Sequence, residues 1–480
     1  MPYRDLQAFL DRLRRERELK EIADEVSPDL EVAAVADRVI KRKGPALLFT
    51  NVRGASMPLA INLFGTEKRM CLALETGSID GLASEIASYL EPEIPEGIMG
   101  KFQALPRLAR LTALKAKTIS KPACQEIVET KNPSLAGIPI IKCWPGDGGP
   151  YITFPIVITK HPTLGTRNLG LYRLQQFDDR TLGMHWQRHK GAAEHYRVAE
   201  SLGKRLEVAI CLGPDPSIIY AASAPLPPEI DELMLAGFVR KESVEVAKGV
   251  TVDLEVPASS QIVLEGYCEP GERRIEGPFG DHTGYYSLPD PYPVFHLTAV
   301  TRRRDPIYHT IIVGPPPQED GPIGTATVRL FLPMIRKVLP EIVDMNLPVE
   351  GIFHNLVLVS IRKRYPGHAR KVAHALWGLG QMMFTKVIVI VDEDCDVQNP
   401  GEVAWRVGTH VDPKRDTWIV EGPMDVLDFA VSTPAFGGKM GIDATRKTKE
   451  EGFPGEWPGI LKHPDEVLRR AEAICAKAGV

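Results

Sequence analysis

A proline-rich segment at residues 314–322 constrains the fold more than any other stretch of the chain. It contains four prolines and two glycines within nine residues. Proline fixes φ and lacks a backbone N–H, so neither a helix interior nor a central strand is expected to pass through the segment. We therefore predict a loop there and a domain boundary near residue 320. The 480 residues of the chain are enough for two to four domains.

The first 120 residues have the pattern of a small α/β domain. Apolar residues recur at helical spacing over residues 4–19 and 29–42, which predicts two amphipathic helices. Short apolar runs at residues 46–50 and 57–62 are bounded by glycine and proline, as buried strands often are. We expect these elements to form an N-terminal domain over residues 1–120.

Residues 121–320 have a strand-rich pattern. Apolar runs or alternations between turn residues occur at 152–159, 169–173, 207–212, 261–267 and 294–302. One further stretch, residues 229–240, has helical spacing instead. Many short strands with one helix predict a mostly β barrel or sandwich for this middle domain.

Beyond the proline-rich segment, helical and strand patterns alternate. Helical spacing at residues 326–338 and 368–379 is interleaved with strand patterns at 356–361 and 386–392. This order predicts a C-terminal α/β domain over residues 321–450.

The last thirty residues, 451–480, have a different organisation. Residues 451–463 are rich in glycine and proline, and residues 464–478 carry one apolar face. That face consists of Val467, Leu468, Ala471, Ile474 and Cys475. Because a single helix of about 15 residues is marginal in water, we expect a flexible tether and a helix that docks on another subunit.

Composition argues against several classes of function. The formal net charge of −4 argues against nucleic acid as a partner and favours small molecules or copies of the same chain. No apolar run reaches the roughly 18 residues that span a bilayer, so we expect a cytoplasmic protein. The seven cysteines are scattered and include no CxxC pair, which argues against a disulfide framework or a thiolate zinc site.

Two carboxylates flank a tight turn within residues 276–286, Glu-Gly-Pro-Phe-Gly-Asp-His-Thr-Gly-Tyr-Tyr. Pro278 and its neighbouring glycines allow the backbone to reverse, so Glu276 and Asp281 can project into one space. Carboxylates held that close have pKa values pushed apart, so one can keep a proton near neutral pH and act as an acid. A surface turn in which Asp281 bonds its own backbone is the alternative. The segment alone does not decide between them.

A second polar segment, from Asn168 onward, predicts a hairpin. Its first strand would place Asn168 and Tyr172 on one face and Leu171 and Arg173 on the other. The returning strand would bring His189 towards Asn168. An amide oxygen, an imidazole nitrogen and a carboxylate together suit Mg²⁺ or Mn²⁺ better than zinc. Taken alone, His189 is more simply interpreted as a structural histidine.

Other familiar motifs are absent or weak. In residues 189–195 the spacing His, Glu, His is i, i+5, i+6, whereas the inverted zinc-protease motif requires i, i+3, i+4. No GxGxxG follows a strand and no GxxxxGK[ST] occurs, so neither a dinucleotide site nor a P-loop is predicted. The acidic run at residues 392–394 is interpreted as a solvated loop. Lys439, among glycines at residues 437–441, is a weak candidate for an anion contact.

Six motifs, in order along the chain, resemble those of the UbiD family of reversible, non-oxidative decarboxylases. They are Asn-Leu-Gly-Leu-Tyr-Arg at 168–173, Trp186-x-x-His189, Asp231-Glu232, Asp-Leu-Glu-Val-Pro-Ala at 253–258, the segment 276–286, and Lys-Met-Gly-Ile-Asp-Ala-Thr at 439–445. The resemblance covers nearly the whole chain. It implies that the middle domain is a split β-barrel that binds a flavin, within a fold of mixed α/β and β domains.

The resemblance also implies cofactors and the residues that hold them. The flavin would be prenylated FMN, supplied by a flavin prenyltransferase, with Mn²⁺ (or Mg²⁺) and K⁺ at its phosphate. The family's metal ligands fall on Asn168, His189 and Glu232. Its cofactor contacts fall on Leu171, Tyr172, Arg173, His185, Trp186, Gln187, Lys190 and Gly191, with Lys439 as a further contact.

The family's catalytic residues fall on Arg173, Glu276 and Asp281. Loss of CO₂ leaves an electron pair that no side chain stabilises, so the resemblance implies that the flavin accepts it through a covalent adduct with the substrate. Asp281 would then protonate the substrate carbon, while Arg173 and Glu276 orient the reacting pair. We expect burial beside Glu276 to keep Asp281 protonated at pH 7.

Within the family, the chain is most similar to enzymes that convert 4-hydroxy-3-polyprenylbenzoate to 2-polyprenylphenol in ubiquinone biosynthesis. Residues 185–188 and 192–195 differ from that branch, so a menaquinone precursor or a small phenolic acid remains an alternative substrate. We expect a homo-oligomer, either a dimer or a hexamer, and peripheral contact with a membrane that holds the polyprenyl tail. Alternatives of other classes are a non-catalytic flavin-binding or assembly subunit and a flavin oxidoreductase, although no nicotinamide fingerprint is present.

Overall fold

The computed structural model describes residues 2–90, 114–226 and 230–479. Its helices are α1 Leu6–Arg15, α2 Glu31–Ile40, α3 Glu67–Ala73, α4 Ile79–Leu90, α5 Gly191–Ser201, α6 Pro216–Ser223, α7 Glu232–Arg240, α8 Asp320–Val338, α9 His368–Trp377, α10 Pro400–His410, α11 Pro413–Asp416 and α12 Asp465–Ala478. Single 3₁₀ turns lie at Ala123–Gln125, Val349–Gly351, Phe353–Asn355, Gly380–Phe384 and Lys449–Glu451.

The strands belong to four sheets. They are β1 Leu19–Ile22, β2 Ala46–Phe49, β3 Leu59–Ile61, β4 Lys117–Thr118, β5 Ile127–Glu129, β6 Tyr151–Ile152, β7 Ile156–Lys160, β8 Arg167–Leu171, β9 Leu174–Gln176, β10 Thr181–Met184, β11 Leu206–Leu212, β12 Glu245–Lys248, β13 Glu255–Pro257, β14 Ile262–Glu276, β15 Asp290–Arg302, β16 Tyr308–His309, β17 Ile342–Asn346, β18 Leu356–Ile361, β19 Val387–Asp392, β20 Thr417–Pro423 and β21 Phe436–Asp443. The sheet orders are β1-β2-β3-β16, β6-β9-β10-β15-β14-β11-β7-β8 with β5 beside β15, β13-β12-β4, and β17-β18-β19-β21-β20.

The N-terminal elements confirm the helix predicted from periodicity. Helix α1 begins after Asp5, whose carboxylate accepts the N–H of Ala8 at 2.9 Å as an N-cap, and it buries its four predicted apolar residues: Leu6, Phe9, Leu10 and Leu13. Strand β16 adds to the N-terminal sheet by pairing in parallel with β3. The chain therefore returns to its first sheet after completing the middle one.

The middle sheet curls until its two ends meet. Strands β8 and β9 lie near opposite ends of the strand order, yet only Tyr172 and Arg173 separate them in sequence. Because an extended chain covers at most about 3.5 Å per residue, those ends must be close together. The result is a curled half-barrel within a mixed α/β molecule.

The curled sheet corrects the predicted hairpin. Strand β8 pairs with β7, and the returning strand β10 pairs with β9, so β8 and β10 are not partners. The alternation of residues along β8 can be predicted from the sequence. The strand that pairs with β8 cannot, because pairing depends on how the whole sheet closes.

The C-terminal sheet has the predicted α/β organisation. Strands β18, β19 and β21 run parallel, with β17 and β20 antiparallel at its edges. The predicted loop at residues 314–322 is too long, because α8 begins at Asp320 rather than near residue 326. Pro322 lies in the first turn of α8, where a helix has no use for the missing N–H.

The helix predicted at residues 229–240 is α7. It begins at Glu232, and residue 229 lies outside the described residues.

The C-terminal helix α12 has no buried residue, and Val467 and Ile474 are exposed on its apolar face. Among the described residues, no helix is both long and apolar enough to cross a membrane.

Candidate active site

Arg173 lies between the two carboxylates of the turn and binds both. Its Nε and Nη2 donate to Glu276 at 2.9 and 3.2 Å, and its Nη1 donates to Asp281 Oδ2. Nη2 also donates to the hydroxyl of Ser287 at 3.0 Å. The guanidinium carbon lies 4.5 Å from the ring centroid of Phe279. All five side chains are therefore held in one buried cluster.

Local backbone structure positions the two carboxylates. Glu276 is the last residue of the long strand β14, and a cis Gly277–Pro278 bond follows it. The N–H of Gly280 donates to Asp147 at 2.7 Å, and the N–H of Asp281 donates to Tyr285 at 3.0 Å. A side chain at Gly280 would collide with Trp144, whose ring would lie 2.2 Å from the added Cβ, so the turn needs glycine there.

Both carboxylates are ionised, which corrects the expectation that Asp281 is protonated. Burial alone would raise their pKa values, but for Glu276 the hydrogen bond from His185 and the charge of Arg173 lower the pKa to about 2. For Asp281, the charge of Arg173 and the hydrogen bonds from His282 hold the pKa well below its usual range. The expectation gave most weight to burial beside Glu276, whereas Arg173 lies between the two carboxylates and stabilises both as anions.

Two histidines complete this cluster, one on each carboxylate. His185 Nδ1 lies 2.9 Å from Glu276 Oε2, and burial and the nearby Arg173 charge lower the pKa of His185. The neutral ring thus donates through Nδ1 and leaves Nε2 as a buried acceptor without a partner. His282 Nδ1 lies 2.8 Å from Asp281 Oδ1. No role was predicted for His282 from the sequence, although it lies within the motif.

The predicted metal ligands Asn168 and Glu232 are brought together by their neighbours. Arg167, on β8, pairs with Asp231, the N-cap of α7, at 2.5 Å. The N–H of Leu169 also reaches the Glu232 carboxylate. Burial raises the pKa of Glu232 to about 7, and its Oε2 is buried without a hydrogen-bond partner.

The third predicted ligand, His189, lies just before α5. Gly191, the first residue of that helix, packs against Asn168, whose Oδ1 would lie 2.2 Å from a Cβ added at Gly191. No three His, Cys, Asp or Glu side chains form a metal-binding group within the described ranges. The proposed ligands are of a different kind, because Asn168 contributes an amide oxygen beside the imidazole of His189 and the carboxylate of Glu232.

The predicted flavin contacts follow β8 and β10. Tyr172 lies on the face of Asn168, with its hydroxyl 3.5 Å from the Asn168 amide nitrogen, as the alternation predicted. Leu171 ends β8, and Gln187 lies between β10 and α5, where its carbonyl accepts the N–H of Lys190 at 3.0 Å. Trp186 is buried with its Nε1 unpartnered.

The two lysines predicted to contact the flavin, Lys190 and Lys439, have different surroundings. Lys190 Nζ lies 3.4 Å from Gln381 Oε1, in the 3₁₀ turn Gly380–Phe384. Lys439 instead donates to the carbonyls of Met383 and Thr385 at 2.6 and 2.9 Å. It lies within strand β21 rather than in a flexible glycine loop. Its ammonium group therefore donates to backbone carbonyls at the end of the 3₁₀ turn that Lys190 contacts.

Sequence reasoning also missed supporting residues. Asp147 accepts the N–H groups of Cys143 and Trp144 as well as that of Gly280, and Ser287 accepts the N–H of Phe279 at 3.2 Å. Ser287 directly follows the recognised motif, whereas nothing in the sequence around Asp147 indicates that it faces the turn.

Comparison with known proteins identifies the family. Three family models match: the N-terminal, Rift-related and C-terminal domains of 3-octaprenyl-4-hydroxybenzoate carboxy-lyase, at residues 10–87, 116–316 and 322–444. The chain belongs to the UbiD family. Uncharacterised proteins of Archaeoglobus fulgidus and Aquifex aeolicus are 49% and 50% identical, over 99% and 100% of this chain and 98% and 99% of theirs.

Solved UbiD-class structures have the same fold. HmfF from Pelotomaculum thermopropionicum, in complex with FMN, has a TM-score of 0.82 at 30% identity, covering 98% of this chain and 99% of its own. The closed form of vanillic acid decarboxylase from Sedimentibacter hydroxybenzoicus has a TM-score of 0.86 at 27% identity, covering 100% and 99%. This UbiD-family chain is accordingly an enzyme of the carboxy-lyase class.

Proposed function

We propose that this protein catalyses the non-oxidative decarboxylation of an aromatic carboxylic acid with prenylated FMN as its cofactor. The observation that carries the proposal is the buried Arg173 held between Glu276 and Asp281, beside buried polar atoms that have no partner in the protein. Each such atom costs free energy when left unpaired, so a bound polar group that pairs with them would be stabilised there.

The residues present fit a flavin and a metal at its phosphate. Glu232 Oε2, His185 Nε2 and Trp186 Nε1 are buried and unpartnered, so they offer an anionic ligand, an acceptor and a donor. Asn168, His189 and Glu232 would hold Mn²⁺ (or Mg²⁺), with K⁺ nearby. Leu171, Tyr172, Gln187, Lys190 and Gly191 would line the flavin. In this proposal Lys439 supports the 3₁₀ turn rather than touching the flavin.

The chemistry that bound prenylated FMN supplies is an electron sink for the pair left when CO₂ departs. The protein's own side chains bind, orient and protonate the substrate. Arg173 offers a fixed guanidinium for a carboxylate, and Glu276 holds its orientation through two hydrogen bonds. Asp281 delivers the proton to the substrate carbon. Because the cluster is buried, water is kept from the reacting atoms.

Two substrate classes follow from different observations. The family models are described for 3-octaprenyl-4-hydroxybenzoate, which supports 4-hydroxy-3-polyprenylbenzoate and a place in ubiquinone biosynthesis. Two related structures are HmfF and a vanillic acid decarboxylase; the latter acts on a small phenolic acid, which supports a substrate without a tail. We propose the polyprenylated acid first and the small phenolic acid, or a menaquinone precursor, second.

The deciding experiment has two stages. The protein is first produced together with a flavin prenyltransferase, and the small molecule extracted from it is characterised by mass and absorbance. Prenylated FMN is the expected result, after which CO₂ release is measured over a panel of tailed and untailed aromatic acids. Recovery of unmodified flavin with nicotinamide-dependent turnover would contradict the proposal and favour a flavin oxidoreductase. Absence of any flavin would favour an assembly subunit.

A further inference from the structure

The two oxygens of Asp281 have different partners, and each oxygen accepts a hydrogen bond from a group that can only donate. Oδ2 accepts from Arg173. Oδ1 accepts from the backbone N–H of His282 at 2.7 Å and lies 2.8 Å from His282 Nδ1. An ionised carboxylate cannot donate a proton to carbon, so Asp281 has to take up a proton before it can deliver one.

His282 is the titratable group bonded to Asp281 that can carry that proton. Besides Asp281, it faces Asp320 at the start of α8 and Asp425 after β20, and the ring of His354 lies 6.1 Å away. Burial lowers the pKa of His282, but the hydrogen bond and charge of Asp281, with the charges of Asp320 and Asp425, raise it to about 9. The imidazole is therefore charged at neutral pH.

We propose that His282 is the proton source for the reaction: its Nδ1 proton moves to Asp281 Oδ1, and Asp281 passes it to the substrate carbon. This inference rests on the proposed decarboxylation. The electron pair of the broken carbon–carboxyl bond forms the new C–H bond with that proton, and CO₂ leaves. His282 remains neutral with its hydrogen on Nε2, and it regains one proton from water per turnover.

The position of His282 suits that exchange with water. Its side chain is 18% exposed, against 0% for Glu276 and 9% for Asp281. A proton can thus reach Asp281 through the imidazole while the carboxylate itself stays covered. The 2.8 Å separation of the two atoms is within the range over which proton transfer along a hydrogen bond occurs.

The first test measures the proton on His282 directly and does not depend on turnover. Holoenzyme labelled with ¹⁵N-histidine is titrated by NMR, and the His282 signal is assigned by its loss in His282→Asn. The expected result is a charged imidazole at pH 7.5 that becomes neutral at the same pH in Asp281→Asn. A His282 ring that is neutral at pH 7.5 in the unchanged enzyme overturns the inference.

The second test measures CO₂ release by the holoenzyme. His282→Ala is expected to bind flavin normally, to lose roughly 100-fold in kcat, and to recover activity when imidazole is added, which a purely structural role would not allow. The matched control, His463→Gln in the exposed tether, should behave as the unchanged enzyme. A kcat for His282→Ala within threefold of the unchanged enzyme, or a loss that imidazole does not rescue, overturns the inference.

The two tests separate this inference from the proposed function. An unchanged enzyme that releases no CO₂ from any aromatic acid contradicts the proposed decarboxylation, and the proton-source role fails with it. In that case the NMR titration still reports whether the His282–Asp281 pair carries the proton. An active enzyme with a neutral His282 contradicts only the inference.

Discussion

At the scale of single residues, Arg173 determines the charge state of the site. It is buried, and it donates to both Glu276 and Asp281, so two carboxylates that would repel each other are both stabilised as anions. Each carboxylate also has its own histidine, His185 on Glu276 and His282 on Asp281. In the proposed mechanism, Arg173, Glu276 and His185 form the orienting half of the cluster, and Asp281 and His282 form the proton-delivering half.

Replacing Asp281 tests the proton-delivering half. Asp281→Asn keeps the size of the side chain but cannot pass a proton to carbon, so kcat for CO₂ release should fall by at least about 100-fold. Flavin absorbance should change little, whereas the melting temperature should fall, because Arg173 loses one of its two buried carboxylate partners. Asp290→Asn, an exposed position paired with Glu276 across the β14–β15 ladder, is the matched control. Normal turnover in the Asp281→Asn enzyme would show that another group protonates the substrate.

Replacing Glu232 tests the proposed metal site. Glu232→Gln removes the anionic ligand while leaving an oxygen in place, so the affinity for Mn²⁺ should fall by roughly tenfold or more. Isothermal titration calorimetry with Mn²⁺ measures this directly, and flavin retained after dialysis gives a second reading. Asp253→Asn, on the exposed side of a surface ion pair, should leave both unchanged. Equal Mn²⁺ affinity in the Glu232→Gln enzyme would remove Glu232 from the ligand set.

At the scale of secondary-structure elements, α8 is tied to the N-terminal sheet by a buried carboxylate at its start. Glu319 accepts the N–H groups of Asn62 and Phe64 at 2.7 and 2.8 Å, next to the end of β3. Arg329, further along α8, pairs with Asp80 of α4 at 2.7 Å. Helix α8, the first element of the C-terminal α/β pattern, therefore also packs on N-terminal elements. The proposed domain boundary near residue 320 lies where these elements are in contact.

The buried carboxyl group of Glu319 should make the stability of the protein depend on pH. Burial raises the pKa of Glu319 to about 7, despite the N–H bonds and the charge of Arg69. A carboxyl whose folded pKa lies above its unfolded value stabilises the fold below about pH 4.5, and that stabilisation is lost as pH rises to about 7. The loss is at most about 3 kcal/mol for a shift of this size.

Glu319→Gln should cancel that loss, because the amide is neutral at every pH. Relative to the unchanged protein, the melting temperature of the Gln variant should therefore rise between pH 5.5 and pH 7.5, as measured by differential scanning calorimetry. Glu350→Gln, at an exposed position, is the control and should show no such trend. A constant difference across this range would mean that Glu319 stays ionised throughout.

At the scale of the whole molecule, residues around the candidate site contact two 3₁₀ turns of the C-terminal region, Phe353–Asn355 and Gly380–Phe384. Lys190 reaches Gln381 at 3.4 Å, the ring of His189 lies 5.6 Å from that of Phe384, and His282 lies 6.2 Å from Phe353. The candidate site is therefore bordered by residues of both the middle and the C-terminal parts of the described chain.

The exposed helix α12 gives a prediction about assembly. Its apolar face, which includes Val467, Leu468 and Ile474, is exposed, so we expect it to dock on a second copy of the chain. Leu468→Glu should lower the mass measured by light scattering to that of a single chain. Arg469→Glu, on the opposite side of the helix, should leave the mass unchanged. A Leu468→Glu protein of unaltered mass would place the subunit contact elsewhere.

The sequence by itself determined the elements whose signals are local. The buried face of α1, the strand patterns of β2 and β19, and the two carboxylates around Pro278 were all readable, because helical and strand periodicity and turn chemistry act over a few residues. The order of the motifs along the chain likewise indicated the family, since each motif is a short run of neighbouring residues.

Only the tertiary structure decided which distant groups meet. The partner of β8, the start of α8 at Asp320, and the ionised state of Asp281 all depend on contacts between residues far apart in sequence. Strand pairing is set by closure of the whole sheet, and a pKa is set by the charges that surround a buried group. His282 shows the difference most clearly: its identity is local, but its charge comes from Asp281, Asp320 and Asp425, which only the folded chain brings together.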